Sequence, residues 1–338
     1  MHLSHLLLKA FSIKNLASEI ILENTSPGVP KIQTIPEYSP QNTEIGIRPN
    51  NEQLVTEING HRPLVIWHGL GDNYNSSAMV DVVSIFNQRY PDMFIYPIFL
   101  DTKPSKDQEK TLFGDANKEV EYVCEQLSSI PELKQGFDAI GFSQGGLFMR
   151  ALIQRCSSVS VHNLITFGSP HMGVSELPMC KPHDWLCKKK NEVLKKQVWH
   201  DNIQKSIIPA QYFRDPYEYD NYVFHSNFLA DVNNELVQEF NPSYGEKLNK
   251  LSKFVMVVFT KDTTVVPKES ASFNDWDTIF DRTIPFDKTS LYENNLLGLK
   301  TMNEDGKLAF LEIEEDHMVI SDAFLADIAE NYIGGSIL

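Results

Sequence analysis

The 338-residue chain has no run of 18 apolar residues, so no segment reads as a transmembrane helix. It also has no basic surplus. Thirty Lys and Arg stand against 45 Asp and Glu, a formal net charge of −15, which argues against a nucleic-acid partner because phosphate binding needs a basic face. Cysteine is scarce. Cys124, Cys156, Cys180 and Cys187 include no C-x-x-C pair, so no zinc pattern is present and no metal is expected. Four cysteines allow three connectivities. Cys180 and Cys187 lie in a polar, loop-like stretch where a free thiol would be exposed, which favours a bridge there. Internal repeats and low-complexity tracts are absent.

What is present is an ordinary globular composition, 42% hydrophobic and 22% charged, on a chain long enough for a large core. Protonating all ten histidines would bring the charge only to −5, so self-repulsion would shrink in an acidic compartment. The first apolar stretch, Met1 to Phe11, is short and broken by His5 and Lys9, and makes a poor signal peptide. Asn24-Thr25-Ser26 and Asn75-Ser76-Ser77 are glycosylation sequons and hint at the secretory route.

Pro27, Pro30, Pro36, Pro40 and Pro49 among polar residues make residues 1–60 an extended lead-in, with the folded domain over 61–338. Short apolar runs then recur: Pro63 to Trp67, Met93 to Leu100, Phe137 to Phe142, Asn163 to Phe167, Phe254 to Phe259 and Leu308 to Ile313. Such runs mark buried parallel strands. Asn117 to Ser129 has helical spacing, with Val120, Val123, Cys124 and Leu127 on one face, and Ser321 to Tyr332 closes as a helix. The alternation predicts an α/β fold, a mostly parallel sheet with helices on both faces. It stops over residues 174–250, an aromatic-rich stretch that reads as a mostly helical insertion. Its aromatics form the insert's own core or line a groove for an apolar substrate.

Gly141-Phe142-Ser143-Gln144-Gly145 stands between the third strand and a helix-like run. A serine on a sharp strand-to-helix turn needs small neighbours two residues either side, because a Cβ there would collide with sheet or helix. The turn lifts the hydroxyl of Ser143 above the sheet edge, in front of a helix N-terminus that favours negative charge. The alternative is a serine that merely caps the helix.

A serine attacks only if an oriented base takes its proton. On a doubly wound sheet the partners lie beyond the carboxyl ends of later strands. Asp262 follows the fifth strand and His317 the sixth, in the chain order Ser, Asp, His. Asp281, Asp287 and Asp316 compete with Asp262 for the acid, and His68 competes for the base. An oxyanion hole needs two backbone N–H groups. Gln144, after the nucleophile, supplies one, and Leu70, in the loop His68-Gly69-Leu70-Gly71-Asp72 after the first strand, supplies the other. His68 and Asp72 together are too few ligands for a metal. His171, after the fourth strand, is structural or touches substrate.

These residues fall in longer blocks: Val65 to Asp72, Gly141 to Gly146, Leu177 to Cys180, Phe228 to Asp231, Lys253 to Val257 and Leu296 to Lys300. In them the chain resembles the palmitoyl-protein thioesterase family, and within it the lysosomal type 1 members, over about residues 62–333. The resemblance implies an α/β-hydrolase fold that removes fatty acyl groups from cysteine thioesters. The partners would be S-acylated proteins or peptides and fatty acyl thioesters, with no cofactor, in the lysosome or vacuole. It carries the nucleophile to Ser143, the acid to Asp262 and the base to His317, and agrees with Leu70 and Gln144 as oxyanion donors. It implies Cys124–Cys156 and Cys180–Cys187 as disulfides. The first would close a loop worth at most roughly 3–4 kcal/mol by chain entropy. The polar lead-in and the lack of a cysteine pair after Asp72 depart from the family pattern. Two rivals remain: an esterase or lipase acting on oxygen esters, and an acyl-binding protein that keeps the fold without turnover.

Overall fold

The computed structural model of the chain describes residues 60–177 and 195–335. The lead-in up to residue 59, the sequon at Asn24 and the Cys180–Cys187 pair lie outside them. Six strands form one parallel sheet: β1 (Leu64–Trp67), β2 (Ile95–Pro97), β3 (Phe137–Phe142), β4 (Val161–Phe167), β5 (Lys253–Phe259) and, after a small hairpin of β6 (Asp275–Asp277) and β7 (Arg282–Ile284), β8 (Leu308–Ile313). The spatial order is β2-β1-β3-β4-β5-β8. The chain leaves β1 toward β2 on one side and returns to β3 on the other. The strand order therefore reverses between β1 and β3, the place where such sheets bind ligands beyond the strands' carboxyl ends.

The helices used below are α1 (Ser77–Arg89), α2 (Pro104–Lys110), α3 (Ala116–Ser128), α4 (Gln144–Arg155), α5 (Tyr219–His225), α6 (Pro242–Leu248) and α7 (Asp322–Tyr332). Successive strand residues point to opposite faces, so an uninterrupted apolar run feeds two cores at once. Val65, Trp67, Ala139, Phe254 and Met256 enter one core with α3, α4 and the insertion. Leu64, Ile66, Ile140, Phe142, Val255 and Val257 enter the other, with α1 and α7. The sheet thus carries helices on both faces, as the alternation predicts. Ser76, Asp115 and Ser321 cap α1, α3 and α7 through their side chains, each worth about 1 kcal/mol. The Cys124–Cys156 disulfide, with Cα atoms 5.7 Å apart, ties α3 to the residue that ends α4.

The second strand is shorter than its apolar run suggests, because Pro97 has no N–H and Leu100 gives its own to the Asp107 carboxylate at 2.6 Å. The β6–β7 hairpin was not expected, since Asp275-Trp276-Asp277 does not read as an apolar strand. Between β4 and β5 the described residues form short helices and turns and no strand of the sheet. Tyr212, Phe213, Tyr222 and Phe228 are buried there in the same core as α4, with Phe228 edge-on to Phe148 at 5.3 Å. Arg150 of α4, fully buried, donates to the carbonyls of Val232 and His171 and to Asn233 Oδ1, locking the insertion to the sheet.

At the opposite end of β3, buried Asp138 accepts from Arg62 Nη1 at 3.0 Å and from the N–H groups of Gly334 and Asn163. Burial pushes its carboxyl up to about 6, against the pull of Arg62 and those N–H groups. A carboxyl raised on folding holds its proton longer in the folded chain. Its contribution to stability is therefore fully present below the unfolded value and is lost as pH rises through about 6. Asp138→Asn should accordingly flatten the pH dependence of unfolding between about pH 4 and 6. Urea midpoints across that window measure it, and an unchanged slope would contradict the assignment.

Candidate active site

The strand-to-helix turn after β3 holds Ser143 at φ 52°, ψ −124°, a backbone state that costs a non-glycine residue roughly 1–3 kcal/mol. Packing forces the turn. A Cβ on Gly145 would lie 2.3 Å from the His68 carbonyl oxygen and 2.4 Å from that of Trp67, and one on Gly141 would lie 2.2 Å from Gly146 Cα. The start of α4 therefore lies directly against the end of β1, and only glycine fits between. The Ser143 N–H donates to the Phe167 carbonyl at 2.7 Å, fixing the turn to β4 as well. Its side chain makes no capping bond to α4, which removes the helix-cap alternative.

The Ser143 hydroxyl instead meets His317. Nε2 of His317 is 3.0 Å from Ser143 Oγ, and Nδ1 is 2.6 Å from Asp262 Oδ2. An ionised carboxylate can only accept, so the Nδ1 proton faces Asp262 and Nε2 accepts from the serine hydroxyl. Asp262 turns its other oxygen to its own backbone, accepting from Thr264 N at 2.7 Å and Val265 N at 3.0 Å. This side-chain turn fixes the carboxylate's orientation. The Asp262 side chain is 2% exposed and that of His317 13%. Gly168, at φ +52°, makes room for the imidazole, since a Cβ there would lie 3.1 Å from His317 Cε1.

The competing acids are placed elsewhere. Asp281 accepts from the exposed Tyr217 hydroxyl in the β6–β7 turn, and Asp287 pairs with Lys288. Asp316 gives its carbonyl to Val319 N–H, while Asp262 holds the histidine. His68 is buried with Nε2 3.0 Å from Asp107 Oδ2 and Nδ1 3.2 Å from the Gly69 carbonyl. Nε2 faces the carboxylate without meeting the geometry of a hydrogen bond. Burial favours neutral His68, but Asp107, Asp72 and the Gly69 carbonyl together raise its pKa. His171 is fully buried, stacked on Phe273 at 4.7 Å, with Nδ1 accepting from Arg150 and Nε2 against Thr166 Oγ1. Burial first, and Arg150 second, push it well below the usual histidine range. It is a neutral structural group.

Leu70 follows β1 and Gln144 opens α4 after β3, and the two strands pair with Trp67 opposite Gly141. Neither backbone N–H is taken by a carbonyl among the described residues. The Gln144 side chain points away, donating to the Thr111 carbonyl and accepting from the Tyr212 hydroxyl at 3.0 Å. Sequence reasoning did not anticipate Tyr212, Thr111 or the turn at Asp262, although Asp262-Thr263-Thr264 is a composition that forms such turns. Among the described residues no group of three or more His, Cys, Asp or Glu gathers to hold a metal ion, and no helix is long and apolar enough to cross a membrane.

A parallel sheet whose strand order reverses beside a strained serine, with acid and histidine following later strands, is an α/β-hydrolase. The palmitoyl protein thioesterase family pattern matches residues 63–317. Palmitoyl-protein thioesterase 1 of Caenorhabditis elegans is 35% identical over 273 residues, covering 80% of this chain and 91% of the nematode protein. Palmitoyl-protein thioesterase 3 of Dictyostelium discoideum is 32% identical over 75% of this chain and 84% of its own length. A Drosophila melanogaster relative named lysosomal thioesterase PPT2 homolog is 28% identical, over 73% and 82%. The chain belongs to the palmitoyl-protein thioesterase family.

The elbow's packing predicts a ranking. Gly145→Ala drives a methyl into the backbone oxygens of Trp67 and His68, which cannot yield, whereas Gly146→Ala meets chiefly the short side chain of Ser169. Gly145→Ala should lower the unfolding midpoint by more than Gly146→Ala does. Equal midpoints in the two variants would contradict this packing.

Proposed function

We propose that the chain hydrolyses long-chain fatty acyl thioesters, palmitoyl above all, from S-acylated cysteines of proteins. The observation that carries the reading is the continuous hydrogen-bonded path from Ser143 Oγ through His317 to Asp262. Ser143 Oγ attacks the thioester carbonyl while His317 Nε2 takes its proton. Asp262 holds the ring and stabilises its charged form. The Leu70 and Gln144 N–H groups donate to the tetrahedral oxyanion, and their freedom from other carbonyls supports that role. The C–S bond then breaks and the thiol leaves, taking the proton from His317. Because a thiolate leaves readily, this protonation matters less than it does for an amide. Water, deprotonated by the same histidine, attacks the acyl-serine, and the fatty acid departs.

The acyl chain needs an apolar wall, and residues 174–250 are the candidate. Tyr212, Phe213, Tyr222 and Phe228 pack into the core shared with α4, and Tyr212 also reaches the Gln144 side chain next to the nucleophile, which supports an insertion that borders the site. A lysosomal or vacuolar site of action fits the name of the Drosophila relative and the disulfide between Cys124 and Cys156. Asn75 of the second sequon is exposed.

Ser143→Ala should abolish turnover in a folded protein. Asp262→Asn should lower kcat by about 10⁴-fold, since the histidine loses its orienting charge. Substantial turnover in folded Ser143→Ala, or a comparable loss from Asp287→Asn, would overturn the assignment. Matched palmitoyl thioester and oxygen-ester substrates decide between thioesterase and esterase.

Each buried CH₂ contributes about 0.8 kcal/mol. The ratio kcat/KM should therefore rise with acyl length and flatten once the chain outgrows the groove. A flat series, or a preference for acetyl, would make the insertion a structural cap only.

A further inference from the structure

The loop between β1 and α1 carries Leu70 between two glycines, and its own turn is closed by one bond, from the Asp72 N–H to the Gly69 carbonyl at 3.2 Å. Both peptide groups of Gly71 are gripped from outside by one segment. The Gly71 N–H donates to Thr111 Oγ1 at 2.8 Å, and the Gly71 carbonyl accepts from Gln108 Nε2 at 2.5 Å. Thr111 Oγ1 passes its own proton to the Gln108 carbonyl, so the hydroxyl is oriented to accept from Gly71. One turn back, Asp107 is fully buried, accepts the N–H groups of Tyr74 and Leu100, and faces His68 at 3.0 Å. The loop is therefore held at His68, Gly71 and Tyr74 by Asp107, Gln108 and Thr111.

The same segment reaches the other donor. The Thr111 carbonyl accepts from Gln144 Nε2 at 3.1 Å, and Gly71 is bound through the hydroxyl of that same residue. Leu70 and Gln144 come from different strands, so their N–H groups converge only if something fixes the distance between the two turns. Thr111 is bonded to both. None of these residues touches the reacting atoms.

We propose that Asp107–Thr111 is the positioning clamp of the oxyanion hole, with Gln108 and Thr111 setting where the Leu70 N–H points and Thr111 coupling it to Gln144. The inference rests on the proposed Ser143 chemistry. The clamp acts on the transition state and leaves acyl-chain binding untouched, because it meets backbone groups that engage substrate only as the oxyanion forms. Removing a whole oxyanion donor costs about 10²–10³-fold in kcat, and misdirecting one should cost about 10–100-fold.

The experiment uses the full chain with Thr111→Val, Thr111→Ser, Gln108→Ala and Ser143→Ala, assayed on a palmitoyl thioester. It is paired with binding of a long-chain trifluoromethyl ketone, which forms a tetrahedral adduct, and of palmitate. Thr111→Val and Gln108→Ala should each lower kcat about 10–100-fold with KM changed less than about threefold. Ketone affinity should fall by the same factor as kcat/KM, with palmitate affinity unchanged. Thr111→Ser, which keeps the hydroxyl, should recover most of the rate. Gln108 lies half-exposed on α2, so its variant decides the matter if Thr111→Val does not fold. Wild-type kcat in folded Gln108→Ala and Thr111→Val would overturn the clamp, as would a rise in KM alone or failure of Thr111→Ser to restore rate. Turnover in Ser143→Ala would instead overturn the catalytic reading beneath it.

Discussion

Gly145 sits so close to the carbonyl oxygens of Trp67 and His68 that any side chain would penetrate them. That contact joins the end of β1 to the first turn of α4, and both proposed oxyanion donors flank it. It also leaves the chain between β3 and α4 no relaxed route, so Ser143 is held at positive φ. The strain of the elbow is offset by two buried cores, one on each face of the sheet, that position β1, β3 and α4 independently of the turn. A serine placed in this way gives up its capping role and keeps its hydroxyl for the histidine.

Around that fixed point, each proposed catalytic group is held by a partner of its own. Asp262 is held by two N–H groups of its own turn, and His317 lies over a glycine at the end of β4. The Gly71 peptide is gripped by Thr111 and Gln108. These bonds are made without substrate, so the site is organised before it arrives, which is what electrostatic stabilisation of an oxyanion requires. The buried His68–Asp107 pair belongs to this supporting layer. It lies behind the loop that carries Leu70, with Asp107 also accepting the N–H groups of Tyr74 and Leu100.

Most of the sheet was legible in the sequence, because uncharged runs such as Leu64-Val65-Ile66-Trp67 have no stable alternative to a strand buried on both sides. The meeting of Ser143 with His317 and Asp262 was legible for a steric reason at the elbow and a topological one at the ends of β5 and β8. Asp262 was singled out by its place after the fifth strand, but only tertiary structure separates it from Asp281 and Asp287, by setting a histidine beside the first and a tyrosine hydroxyl and a lysine beside the others. For His171 the sequence allows a structural or a substrate-contacting role, and it is the structural one, sealed between Arg150 and Phe273. Helix α2 was missed as well. Pro104-Ser105-Lys106-Asp107-Gln108-Glu109-Lys110 reads as a solvated face, and one-dimensional pattern cannot reveal that Asp107 and Gln108 turn inward to a loop 35 or so residues earlier.

Ser143 should carry the acyl group during turnover. Rapid quenching of the enzyme with a palmitoyl thioester, followed by mass spectrometry of its peptides, tests this directly. The expected result is a burst of thiol with up to one palmitoyl group per chain on the peptide containing Ser143, lost when His317 is replaced. A burst with the acyl group on another residue, or turnover with no acyl-enzyme under conditions that make deacylation slow, would contradict it.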